Sequence, residues 1–289
     1  MNIAIMTDSN SGITQSEAKK LGIYVLPMPF DIDQKTYFED IDLSPKEFFN
    51  KLREGSDVCT SQPSPADVTH MWDEILEKYD SLIYIPMSSG LSNSCQTAKA
   101  LANEEEYKNK VFVSDTTRIS VTQRQACLDA LTLLKTCQSP KYICDYLEKT
   151  GKDASIYIAI DTMKYLKKGG RVTPAAAGIA TVLGIKPVLL IKGGKLDSFA
   201  KVRGMKAAQD TMIEALKTEL EGPFKRLRKE GKVALGIAYT GDKSITKEIE
   251  KRMEEEFSDL DIVKNPLSLS VACHTGEGAL GVGCFRIEN

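Results

Sequence analysis

Residues Ile83–Leu101 read "IYIPMSSGLSNSCQTAKAL". The segment opens as an apolar, β-rich run and closes as an amphipathic helix. Between the two lies a polar turn holding Gly90 and the hydroxyls of Ser88, Ser89, Ser92 and Ser94. The same grammar occurs in "NIAIMTDS" (Asn2–Ser9), "KVFVSDTT" (Lys110–Thr117) and "SIYIAIDT" (Ser155–Thr162). Each apolar run ends in Asp, Ser or Thr, residues whose short oxygen-bearing side chains accept hydrogen bonds from the first amides of a following helix. Repeated strand-to-helix joints predict an α/β fold with largely parallel strands.

The helices carry their own start signals. Ser44-Pro45, Ser64-Pro65, Ser139-Pro140 and Thr173-Pro174 each place a capping hydroxyl before a proline at the first helical position. Ser44 is followed three residues later by Glu47, a capping box. The second half has a different texture. Residues 173–184 read as an Ala/Gly-rich buried helix, and "KPVLLIKGGKL" (Lys186–Leu196) as two strands around a Gly193-Gly194 turn. Helices are expected near 204–220 and 246–257, and strands at Val233–Thr240, Ser268–Cys273 and Leu280–Ile287. Hairpins mixed with helices predict a mixed or antiparallel sheet. "KTGKD" (Lys149–Asp153) serves as a connector, giving domains 1–152 and 153–289.

Composition narrows the function classes. Apolar residues make up 42% of the 289, enough for full cores. With 38 Lys+Arg against 40 Asp+Glu there is no basic excess of the kind that grips nucleic acid. The basic run Lys225–Lys232 reads as a solvated helix end. The first residues lack the basic start and apolar core of a signal peptide. The longest near-apolar run, Ile179–Ile191, is interrupted by Lys186 and Pro187 and is too short to span a bilayer. Seven cysteines without a C-x-x-C pair suit reduced thiols in a cytosol. Two separated histidines, His70 and His274, and scattered carboxylates supply no metal site. His70, within a helical stripe, reads as structural.

Some polar residues exceed what local structure requires. Ser92 can cap the helix after it, but that leaves Ser88, Ser89 and Gly90, a set suited to an anion at a helix N-terminus. Ser64 caps the helix at Pro65, which leaves Thr60 and Ser61 without that role. Arg171 falls between a helix stop at Gly169-Gly170 and the next start at Thr173, where a turn can aim it at a carboxylate or phosphate. His274 is expected at a strand end, leading into the glycine-rich stretch Gly276–Gly283. A Ser92/His274 dyad acting on acyl esters and a phosphate or small-metabolite binder are the competing readings. No G-x-S-x-G elbow, Walker A or dinucleotide fingerprint occurs.

Five motifs together carry a family resemblance: "DSNSGI" (Asp8–Ile13), "TSQPSP" (Thr60–Pro65), "SSGLSNS" (Ser88–Ser94), "KKGGRV" (Lys167–Val172) and "HTGEGALG" (His274–Gly281). In order and spacing the chain resembles the DegV family of bacterial fatty-acid-binding proteins, some of which are the FakB subunit of fatty acid kinase. One departure is Asn93-Ser94, where the family pattern has Gly-Thr. The resemblance implies a two-domain DegV-like fold, its N-terminal sheet mainly parallel and Rossmann-like with flanking helices. A long-chain fatty acid such as palmitate, stearate or oleate would lie in an apolar tunnel between the domains. Thr60 and Ser92 would bind its carboxylate, with Ser61, Arg171 and His274 as the polar network beside it. The resemblance further implies a partner, an ATP-dependent kinase subunit that phosphorylates the carboxylate. It implies no cofactor, no catalytic residue of this chain's own and a cytoplasmic setting.

Overall fold

The computed structural model describes residues 2–179, 184–194 and 196–288. In chain order its strands are β1 (Ile3–Asp8), β2 (Tyr24–Leu26), β3 (Pro29–Ile32), β4 (Lys35–Phe38), β5 (Val58–Thr60), β6 (Ser81–Ile85) and β7 (Val111–Val113). They continue with β8 (Ala154–Ala159), β9 (Ile185–Ile191), β10 (Asp197–Arg203), β11 (Val233–Tyr239), β12 (Ile262–Pro266) and β13 (Leu280–Arg286).

The first sheet has the order β2-β1-β6-β7, and every pairing is parallel. β1 and β6 are buried along their whole length, as expected of strands covered on both faces. Alternation sends Ile3, Ile5, Ile83 and Ile85 against helices Val121–Leu134 and Pro140–Gly151. Ala4, Met6, Leu82 and Tyr84 face the other way, onto helices Pro65–Leu76 and Ser94–Leu101 around Trp72. Ser44 and Ser64 each form a complete capping box. The same half carries a small antiparallel sheet, β4-β3-β5, that the apolar pattern does not announce.

The second sheet has the order β10-β9-β8-β13-β11-β12. Only β11 and β12 run parallel, so the expected mixed sheet is present. β8, whose "SIYIAIDT" shares the strand-to-helix grammar, pairs antiparallel with both β9 and β13. One face packs on helices Gly204–Glu221 and Lys247–Glu256 through Tyr157, Val188, Leu235, Ile237, Met212 and Met253. The opposite face presents Ile156, Ile158, Leu189 and Ala238 to Met28, Met87, Leu91, Ile119 and Val121 from the first half. The two halves therefore share an apolar core, and the site lies within it.

Three expectations need correction. Ser268–Cys273 is not a strand: Leu269–Thr275 is a helix. Ser268 caps it by accepting from Val271 N at 3.2 Å, and the buried Glu39 accepts from the amides of Leu269 and Ser270 at 2.8 and 3.0 Å. The second change follows from the first: His274 sits in the last turn of this helix, not at a strand end. Third, the helix expected over 173–184 stops at Ala177, with Gly178 and Ile179 outside it; β12, to which the sequence reading assigned no element, is the outer strand beside β11. The helix expected over 173–184 begins as anticipated, with Thr173 capping Pro174–Ala177. Residues 180–183 of the expected span lie outside the described residues. His70 is exposed on helix Pro65–Leu76, 3.7 Å from Glu74. No described helix is long and apolar enough to cross a membrane.

Candidate functional site

The opening stretch folds into a turn held at both ends. Asp8, at the end of β1, accepts from Met87 N at 2.8 Å, and Ser88 N donates to Arg118 O at 2.9 Å. Ser88 then organises the turn from within. Its Oγ accepts from Gly90 N at 3.1 Å, and its carbonyl accepts from Leu91 N and Ser92 N at 3.0 and 3.2 Å. Ser92 Oγ accepts from Ser94 N at 3.2 Å. The amides of Gly90, Leu91, Ser92 and Ser94 are thus committed inside the turn. Ser92 adds a hydroxyl to the cavity wall. Gly90 answers a packing demand: a Cβ there would lie 2.7 Å from the Gly194 Cα on the β9–β10 connection.

Asp8 itself is fully buried. Burial raises its carboxyl to about 6, partly offset by hydrogen bonds from Met87 N, Gln123 and Asn10 N. Its place at the end of a parallel strand, next to β6, fits the crevice where open α/β sheets bind ligands.

The other side-chain donors converge from distant parts of the chain. Thr60 ends β5, and its Oγ1 is 2.8 Å from Nε2 of His274. Nδ1 of His274 is buried without a partner among the described residues. Burial, with the Arg171 charge adding to it, holds this imidazole down to about 4, so it is neutral at neutral pH. The ring lies flush on Gly169, where a Cβ would come within 2.1 Å of Nδ1. Arg171 follows the stop of helix Lys164–Gly169. Its Nε donates to Leu91 O at 3.4 Å, and its Nη1 donates to Gly169 O. The guanidinium therefore links the Gly169 turn to the turn that carries Ser92.

Thr60, Ser61, Ser92, Arg171 and His274 all line one cavity. Ser61 is exposed at the surface, and the other four are partly buried. The cavity has about 90 Å³ open to the centre of a water-sized sphere, a narrow channel rather than a wide pocket. Away from these residues its wall is mainly apolar, with Met28, Met87, Ile119, Ile156, Ile158 and Leu267 among the contributors. All five sequence-derived site residues are thus brought together. Asn10, Ser120 and Ser270 also line the cavity and were not singled out in sequence. Asn10 lay inside "DSNSGI", but Ser120 and Ser270 had no local signal. Among the described residues no group of His, Cys, Asp and Glu is placed to hold a metal ion.

Comparison with known proteins agrees with this architecture. The family model described as "Uncharacterised protein, DegV family" matches residues 2–286. A DegV domain-containing protein of Clostridium perfringens is 30% identical, the match covering 96% of this chain and 95% of that protein. A DegV family protein from Thermus thermophilus, whose structure is described as one of fatty acid binding, superposes with a TM-score of 0.86. It is 30% identical, with 99% of this chain and 100% of the other covered. DegV of Bacillus subtilis, described as a fatty acid binding protein, gives a TM-score of 0.85 at 25% identity with both chains fully covered. In sequence over nearly its whole length and in fold, the chain belongs to the DegV family.

Proposed function

We propose that this protein binds one long-chain fatty acid in the cavity between its two sheets and presents the carboxylate to a separate kinase subunit. The observation that carries the reading is the meeting of Thr60 and Ser92, from separate parts of the chain, on the wall of one mainly apolar cavity. The fatty-acid binding described for the relatives from Thermus thermophilus and Bacillus subtilis supports it.

The energetics fit. Each buried methylene contributes about 0.8 kcal/mol, so a chain of roughly fifteen gains about 12 kcal/mol. Ordering the chain and desolvating the carboxylate cost several kcal/mol. The tail then supplies most of the affinity, and the head-group residues add to it while they orient the acid. The carboxylate accepts from the hydroxyls of Thr60 and Ser92. Neutral His274 donates from Nε2 to Thr60 Oγ1, which leaves the Thr60 proton for the carboxylate. Arg171 offsets the negative charge, and Ser61 lies at the mouth. A carboxylate fixed this way offers one oxygen for in-line attack on the γ-phosphate of ATP, with nucleotide and metal supplied by the partner.

The hydrolase alternative is less favoured. His274 Nε2 faces Thr60, not Ser92, and an imidazole held down to about 4 is a weak general base at neutral pH. A phosphate-binding role sits poorly with a mainly apolar wall. Native mass spectrometry after mild purification tests the proposal: one acyl chain per protein is expected. An empty protein with no affinity for palmitate or oleate would exclude it. In the presence of the kinase subunit, Thr60→Ala and Ser92→Ala are expected to lose turnover far more than thermal stability.

A further inference from the structure

Three side chains in the cavity wall are polar where the fatty-acid reading needs only methylene contacts. Asn10, Ser120 and Ser270 are 2%, 4% and 4% exposed and lie together. Ser120 N donates to Asn10 O at 3.0 Å, and Ser270 Oγ donates to Asn10 Oδ1 at 2.6 Å. Ser268 Oγ donates to the same Oδ1 at 2.9 Å, so that oxygen is saturated. The Asn10 amide nitrogen meets Met87 Sδ at 2.9 Å, a weak acceptor, and also faces the buried Asp8 carboxyl, so one of its two N–H donors is held only weakly. Ser120 Oγ is buried and has no partner among the described residues.

Ser120 is also costly in backbone terms. Its φ of 56° and ψ of −136° are unfavourable for any residue with a Cβ. Glycine would relieve the strain, and either glycine or alanine would remove the orphan hydroxyl. Folding alone therefore favours another residue here. The spare capacity of the cluster is specific: the Asn10 N–H that only the Met87 sulfur holds, beside a Ser120 hydroxyl that both donates and accepts. An alcohol is the complementary group, since it accepts from Asn10 and donates to Ser120 Oγ. The cluster's place along the chain follows from helix Leu269–Thr275, where Ser270 and His274 are one turn apart. If the carboxylate lies beside His274 and Thr60, the cluster meets the carboxyl-proximal half of the acyl chain.

We infer that Asn10, Ser120 and Ser270 form a second polar subsite that accepts a hydroxyl on the carboxyl-proximal half of the bound chain. The inference rests on the fatty-acid reading and names a substrate class within it: hydroxylated acids beside plain ones.

The test is displacement of a fluorescent fatty acid from delipidated protein by stearate and by two hydroxystearates, one substituted on the proximal half and one on the distal half. The native protein is expected to bind the proximal isomer within about threefold of stearate. The distal isomer, whose hydroxyl is buried against apolar wall, is expected to bind about tenfold more weakly or worse. In Ser120→Ala combined with Ser270→Ala the order should shift, with stearate gaining and the proximal isomer losing about tenfold relative to it. This ratio is read within one protein, so a general loss of folded material does not imitate it. Equal penalties for the two isomers in the native protein, or an unchanged ratio in the double variant, would overturn the subsite. Failure of stearate itself to bind would overturn the fatty-acid reading and the subsite with it.

Discussion

His274 shows how one residue of the site is set by its neighbours. Its ring rests on Gly169, its Nε2 meets Thr60, and Arg171 reaches back to the Gly169 carbonyl. Alanine is ordinarily the better helix residue by about 1 kcal/mol, and Gly169 is the last residue of a helix. Gly169→Ala is nevertheless expected to weaken fatty-acid affinity at least tenfold, because its Cβ would displace the imidazole from Thr60. Titration with palmitate checks this, and unchanged affinity would show that the ring's position does not matter. At this scale the sequence was informative where side chains exceeded local needs: Thr60 and Ser61 had no capping role, and Arg171 stood between a stop and a start. Asp8 and Asn10 were visible only as letters of a motif. Their burial depends on helix Val121–Leu134 and on residues 268–270, far away in sequence. The positive φ of Ser120 comes from tertiary packing and has no local signature.

Helix Leu269–Thr275 is the element that sequence reading missed and the site most needs. Its alternating "SLSVAC" fits a strand as well as a single helical turn or two. The choice is made by Ser268 and by Glu39, which meets the helix from a distant loop. Ser268→Ala removes the cap and the bond to Asn10, so a loss of about 1–2 kcal/mol is expected from chemical denaturation. A loss near zero would deny the cap its role. Glu39 adds a pH dependence. Burial raises its carboxyl from 4.5 to about 7, against the opposing hydrogen bonds from Leu269 and Ser270. The folded state therefore holds this proton more tightly than the unfolded chain. Its contribution to stability is complete below pH 4.5 and is lost as pH rises through about 7. Glu39→Gln is expected to flatten the fall in stability across that window. Denaturation midpoints measured through it check this, and parallel curves for the two proteins would contradict it.

Across the whole molecule, β1, β6 and β7 of the parallel first sheet were legible because they are apolar runs that end in Asp, Ser or Thr ahead of a helix; β2, which leads directly to β3, was not. The antiparallel place of β8 was not, since a single strand carries no mark of its partner's direction. The boundary expected between residues 1–152 and 153–289 falls where Arg118 is buried. Arg118 donates to the carbonyls of Thr150, Gly151 and Asp153 and lies 3.8 Å from Asp129. Its own carbonyl accepts from Ser88 N, so the end of helix Pro140–Gly151, where a connector was expected, and the Ser92 turn hang on one residue. Arg118→Met is expected to cost about 3–5 kcal/mol, because it leaves Asp129 and three carbonyls without this partner. Urea denaturation measures that loss, and a cost below about 1 kcal/mol would show the clamp to be dispensable.

The central claim concerns the joint action of an apolar cavity and two hydroxyls, and calorimetric titration of delipidated protein with palmitate tests it most directly. The account predicts one site of sub-micromolar affinity, weakened at least tenfold when Thr60→Ala and Ser92→Ala are combined. A native protein that takes up no palmitate, or a double variant that binds it as tightly as the native chain, would contradict it.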